Sequence, residues 1–150
     1  MKYFYKNISL LWLLLLASLS AQGQQSYWHK VEFDSQRSAT NLPAVAQYFT
    51  LDKDAFGRVL RGATTARGAT IVEIPNAEGQ LISYRITPTQ VLSDELAQKY
   101  PSILTFEGVG IEDNSQRIRF TFSDFGLDAI MQQNLHYAFV EAEEHSGRLY

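Results

Sequence analysis

The chain is expected to form an α+β domain, mainly an antiparallel β-sheet meander with two short helices. Three observations predict this. Residues 103–141 read ILTFEGVG, RIRFTFSDFGLDAI and YAFVEA, strand-forming runs separated by polar turns. A second pair of strand-like runs flanks Pro75-Asn76-Ala77-Glu78-Gly79. Only two short stretches, after Asp52 and after Ser93, carry helix caps. With 150 residues, 45% hydrophobic and 13% aromatic, the sequence describes one globular domain with a real core and a bias toward strands.

The N-terminus has the pattern of a secretory signal peptide. Lys2 and Lys6 precede an apolar run over 8–17, and small residues follow over 18–23. The run is shorter than the roughly 20 residues that a spanning helix needs. Cleavage after Ser20 or after Gly23 places small residues correctly, and Gly23 is preferred. Residues 1–23 are therefore expected to direct the chain out of the cytoplasm, secreted or periplasmic, with no stable membrane insertion after cleavage. Residues 24–150 are expected to form the single domain. Losing the leader removes two lysines and no acid, so the formal net charge moves from −3 to −5. An acidic surface repels phosphate backbones, and Arg58, Arg61 and Arg67 form the only cluster close in sequence. Nucleic acid is not an expected partner.

Tyr27-Trp28-His29-Lys30-Val31-Glu32-Phe33 alternates loosely and predicts an edge strand, and 35–40 is polar and irregular. Gln47-Tyr48-Phe49-Thr50-Leu51 predicts a second strand, and Asp52 caps a helix over 53–61 with Ala55, Phe56, Val59 and Leu60 on one face. Gly57 costs that helix about 1 kcal/mol relative to alanine. Arg61-Gly62-Ala63-Thr64 recurs at Arg67-Gly68-Ala69-Thr70; the expectation is a helix C-cap at Gly62 and then a connector. Residues 69–74 and 80–87 predict a β-hairpin, with Gly79 supplying a positive φ and Ile82, Tyr84 and Ile86 on one face.

Ser93 caps the second helix, Asp94 and Glu95 suit its positive end, and Pro101 stops it. A strand over 102–108 follows, then the turn 112–115. The strand 116–123 puts Ile118, Phe120 and Phe122 on one face, a burial worth about 5–9 kcal/mol before chain entropy. Asp124-Phe125-Gly126 turns the chain into a strand over 127–133. Asn134-Leu135-His136 turns it into the last strand, over 137–142. The helices are expected on one side of the sheet. Leu149-Tyr150 has the look of a further strand, and the chain is expected to be the front of a longer one.

Chemistry is sparse. Without cysteine there is no disulfide, thiolate nucleophile or cysteine-ligated zinc. His29, His136 and His145 are not at metal-ligand spacing. Glu141, Glu143 and Glu144 are expected as a solvated strand end, and Asp113-Asn114-Ser115 as a turn lacking the glycine and terminal glutamate of an EF-hand. Gly108-Val109-Gly110 starts a dinucleotide pattern but lacks its third glycine and helix, and is expected as a loop. No G-x-S-x-G occurs. No catalytic, cofactor-binding or metal residues are expected in this segment.

Phe106-Glu107-Gly108-Val109, Ser115, Arg119-Phe120-Thr121, Gly126-Leu127, Ala129-Ile130 and Tyr137-Ala138-Phe139-Val140-Glu141 together resemble the propeptide of reprolysin-type (adamalysin-like) zinc metalloproteases. Residues 74–79 and 96–103 resemble the secreted bacterial version, so the likeness covers about 71–150. Two features depart from the pattern: Ala142 stands where proline is usual, and no cysteine is present to serve as a switch on a catalytic zinc. The peptidase signature H-E-x-x-H-x-x-G-x-x-H is also absent. The resemblance implies a prodomain that aids folding of, and inhibits, a metalloprotease catalytic domain in cis after Tyr150, with zinc only in that downstream domain. Asp124 is then a weak candidate for an inhibitory carboxylate. The alternative is a stand-alone secreted or periplasmic binding module without catalytic activity.

Overall fold

A computed structural model describes residues 26–32, 47–66, 68–142 and 149–150. Residues 1–23, where a leader cleaved after Gly23 is expected, the segment 35–40, Arg67, Glu143, Glu144 and His145 lie outside the described residues. The observed class is the expected one: two antiparallel sheets and two helices.

The smaller sheet pairs β1 (Trp28–Val31) with β2 (Tyr48–Leu51). The chain end joins it, because Phe49 and Tyr150 exchange backbone hydrogen bonds of 2.7 and 2.8 Å. The larger sheet is a six-stranded meander in sequence order: β3 (Thr70–Pro75), β4 (Leu81–Thr89), β5 (Leu104–Gly110), β6 (Arg117–Ser123), β7 (Gly126–Gln133) and β8 (His136–Val140). Short polar turns join most neighbours. In the β3–β4 turn Gly79 takes a φ of 78°, and Asn134 takes a φ of 57° in the two-residue turn between β7 and β8.

Helix α1 (Lys53–Thr65) starts where the sequence predicts, with the Asp52 carboxylate accepting from Ala55 N. It does not end at Gly62. The helix runs one turn further because Ala63 is buried on the same stripe as Phe56 and Leu60, and packing outweighs the weak propensity of glycine. The Thr64 and Thr65 hydroxyls donate to the carbonyls of Arg61 and Gly62, and Ala66 N also donates to Gly62 O, so no glycine cap is needed. Gly57 has a packing reason as well. A Cβ there would lie 2.9 Å from Phe122 Cε1, so glycine lets the helix sit directly on the sheet.

Helix α2 (Asp94–Lys99) has the expected Ser93 cap, yet none of its residues is buried. Of the two helices, only α1 therefore contributes side chains to the core. The other helix is an exposed turn and a half in the β4–β5 connection. Strand β4 continues past Thr87 through Pro88 to Thr89. Pro88 lies beyond the last β3–β4 pair, Thr70 with Ile86, where β4 has become a sheet edge that tolerates proline.

Gly108-Val109-Gly110 is not a loop. All three residues lie in β5, with Gly108 between Ile86 and Ile118 in the cross-strand register.

The core lies between one face of the meander and a layer made of α1 and the small sheet. Ile86, Phe106, Ile118, Phe120, Phe122, Leu127 and Met131 supply the sheet side, and Trp28, Phe49, Leu51, Phe56 and Leu60 the other. Edge-to-face rings join the layers, Phe56 to Phe122 at 6.0 Å and Trp28 to Phe56 at 6.1 Å. The Trp28 indole donates to Glu73 O at 2.8 Å, and Leu127 N donates to the Tyr150 hydroxyl at 2.9 Å. These two polar tips thus have partners, which lowers the cost of placing them in an apolar layer.

Burial pushes the Tyr84 phenol up to about 12. The unfolded chain releases that proton near the ordinary value of 10.0, whereas the folded chain keeps it until about 12. The stabilising contribution is therefore complete below pH 10 and is lost as pH rises through the folded value, a change of about 2–3 kcal/mol. Urea midpoints measured from pH 9 to 12 should fall steeply, and Tyr84→Phe should flatten most of that fall. Tyr150, raised mainly by burial, supplies a remainder. An unchanged slope in Tyr84→Phe contradicts the burial of this phenol.

Candidate binding face

Alternation along a strand sends successive side chains to opposite faces, so the register that buries Ile118, Phe120 and Phe122 also presents Arg117, Arg119 and Thr121 on the other side. Among the described residues no element packs on that second face. Its rows follow from the pairing. One crosses all six strands as Ile71, Arg85, Val109, Arg117, Gln132 and Tyr137. The next is Thr87, Glu107, Arg119, Ile130 and Phe139, and a third is Thr89, Thr105, Thr121 and Asp128.

Two shallow troughs lie on this face. The larger, about 740 Å³, is bordered by Arg85, Arg117, Arg119, Glu107, Ile130 and Tyr137 among others. The second, about 540 Å³, runs past Thr121, Asp128, Phe139 and Glu141 to Gln90 and Val91 in the β4–β5 connection. Three large apolar side chains at the β7–β8 end stand in water, Ile130 at 40%, Tyr137 at 60% and Phe139 at 65% exposure. Adjacent exposed residues of this size are unusual on a sheet that has no use for them. The Arg119–Glu107 pair is loose, 3.7 Å apart with Arg119 79% exposed, and contributes little to stability. It leaves Arg119 available to another carboxylate.

The residues that the sequence singles out fall elsewhere. Asp124 sits in the exposed β6–β7 turn beside Phe125, and its carbonyl accepts from Lys53 Nζ at 2.6 Å. That bond ties the turn to the start of α1, at an end of the sheet rather than among the open-face rows. His29 is on β1 and His136 begins β8, in different sheets. Asp113 is in a turn, accepting from Ser115 N at 2.8 Å; hydrogen bonds from the Ser115 side chain and then its backbone hold the carboxyl below its ordinary value. Glu141 is exposed just after β8. Among the described residues no three His, Cys, Asp or Glu side chains come together as a metal site. Among them, too, no helix is long and apolar enough to cross a membrane.

Sequence reasoning did not bring the arginines together. Arg85, Arg117 and Arg119 are distant in sequence or hidden in an alternating strand, and only strand order places them on neighbouring rungs. The signal was present in the alternation itself, since the face opposite Ile118, Phe120 and Phe122 had to be Arg117, Arg119 and Thr121.

No family model, curated protein or solved structure matches the chain.

Proposed function

We propose that residues 24–150 are the prodomain of a secreted zinc metalloprotease of reprolysin type, and that they fold with and cover its catalytic domain through the open face of the meander. One observation carries the reading: within the stretch of about 71–150 that resembles such propeptides, the part 103–141 coincides with β5 to β8, whose outer face is apolar and arginine-lined. A domain that binds the folded protease and not its unfolded chain stabilises it by mass action, and while bound it blocks the cleft. Zinc would be held by the catalytic domain. On this reading the part played by this segment is contact.

A stand-alone secreted or periplasmic binding module is the second reading, favoured by the fact that the open face is complete within residues 71–139. One experiment separates them. The coding sequence is read past Tyr150 and the whole precursor is assayed for zinc-dependent peptidase activity before and after limited proteolysis. The expected result is an in-frame H-E-x-x-H and activity that rises when 24–150 is cut away. A stop codon at 151 or a fully active uncut precursor overturns the prodomain.

A further inference from the structure

We propose that the open face binds an extended polypeptide segment that alternates carboxylates with apolar side chains. Arg117 and Arg119 hold the carboxylates, and Ile130, Tyr137 and Phe139 receive the apolar residues. The proposal rests on the reading of this face as the contact surface and names the chemistry of what it contacts.

The spacing fits. Arg117 and Arg119 lie on one strand two residues apart, about 7 Å, which is the repeat of same-side residues in an extended peptide. Successive side chains of an extended segment point to opposite sides. A segment lying along β7 therefore sends its carboxylates toward Arg117 and Arg119 on β6 and its apolar residues toward Tyr137 and Phe139 on β8. Arg85, level with Arg117 but two strands further away, adds positive potential without reaching the segment. The charge is complementary. The larger trough has three arginines against one glutamate, in a chain whose net charge is −3. All its cations are arginine, whose planar fork takes a carboxylate bidentately, and none is lysine. Just beside them the exposed Ile130, Tyr137 and Phe139 give up water-facing apolar surface only to an apolar partner. A polyanion without apolar groups fits less well, because Glu107, Asp128 and Glu141 interrupt the basic surface and the aromatic end would stay wet.

Fluorescence anisotropy on the intact chain tests this with the capped peptide Glu-Leu-Glu-Phe-Glu, its glutamine analogue and a heparin fragment as probes. The acidic peptide should bind saturably and more weakly as salt rises, and the glutamine analogue should not. Arg117→Ala and Arg119→Ala should each weaken binding about tenfold. Phe139→Ser should weaken it too, whereas Arg58→Ala, on the exposed side of α1, should leave it unchanged. Circular dichroism checks that each variant is folded. Equal binding of peptide and analogue overturns the proposal. So does an equal loss with Arg58→Ala, or heparin binding tighter than the peptide and indifferent to Phe139→Ser. A latent precursor whose face ignores the peptide sinks this inference alone; peptide binding with no peptidase in the precursor sinks the prodomain alone.

Discussion

Phe120→Asp should abolish the cooperative thermal transition and the near-ultraviolet dichroism of the protein. Phe120 is 3% exposed at the centre of β6 and stacks on Phe106, with ring centroids 5.2 Å apart and planes 21° from parallel. Removing a buried phenylalanine costs about 3–5 kcal/mol, and forcing an unpaired carboxylate into the same layer costs several more. A domain of this size is stable by about 5–15 kcal/mol, so the sum takes most or all of it. The neighbouring Arg119→Ala is the matched control. Its side chain is on the water face, and its melting temperature should stay within about 2 °C of the parent. If both variants melt alike, the register of β6 is wrong. A cooperative transition in Phe120→Asp at the parent temperature would equally rule out that register.

Gly108→Val should have the next largest effect, lowering the melting temperature by about 10 °C or more. A Cβ at this position would lie 2.9 Å from Ile118 Cγ2, 3.0 Å from Ile86 Cγ2 and 3.2 Å from the Arg85 carbonyl. Both isoleucines are 1% exposed, so neither can swing into solvent. Alanine loses some unfolded-chain entropy relative to glycine, which favours the fold by about 0.4–1 kcal/mol. Overpacking works the other way by about 1–3 kcal/mol and prevails here, because the neighbours on both sides are held. The cost of Gly108→Ala should shrink in an Ile118→Ala background, where Cγ2 is gone and the added methyl occupies vacated space. Urea denaturation of the four proteins in this cycle measures the coupling. Strict additivity would mean that the two residues do not touch, and the interpretation of the glycine would fail.

How far the sequence could be read depended on the range of the interaction involved. The Asp52 and Ser93 caps, the Gly79 turn and the alternation of β6 are local, set by atoms a few residues apart, and each appears where the pattern predicts. Local habit predicts a helix cap at Gly62 and a loop at Gly108. Their actual surroundings come from distant parts of the chain: the buried face of α1 in one case, two isoleucines on flanking strands in the other. The exposed state of α2 belongs to the same class, since its capping says nothing about what it packs against.

The candidate face divides in the same way. The inward side of the meander was legible because apolar alternation announces burial. Its outward side was legible only strand by strand.

The amino-acid sequence by itself determined the α+β class, the meander order and which side of each well-patterned strand is buried, because turns, caps and period-two patterning act over short spans of chain. Only the tertiary structure decided that β1, β2 and α1 cover one face and that, among the described residues, the other stays open. It alone decided that Arg85 comes level with Arg117. The reason is that strand register between distant segments is chosen by the packing of the whole sheet, and the position of an arginine in space is a by-product of where the apolar residues must go.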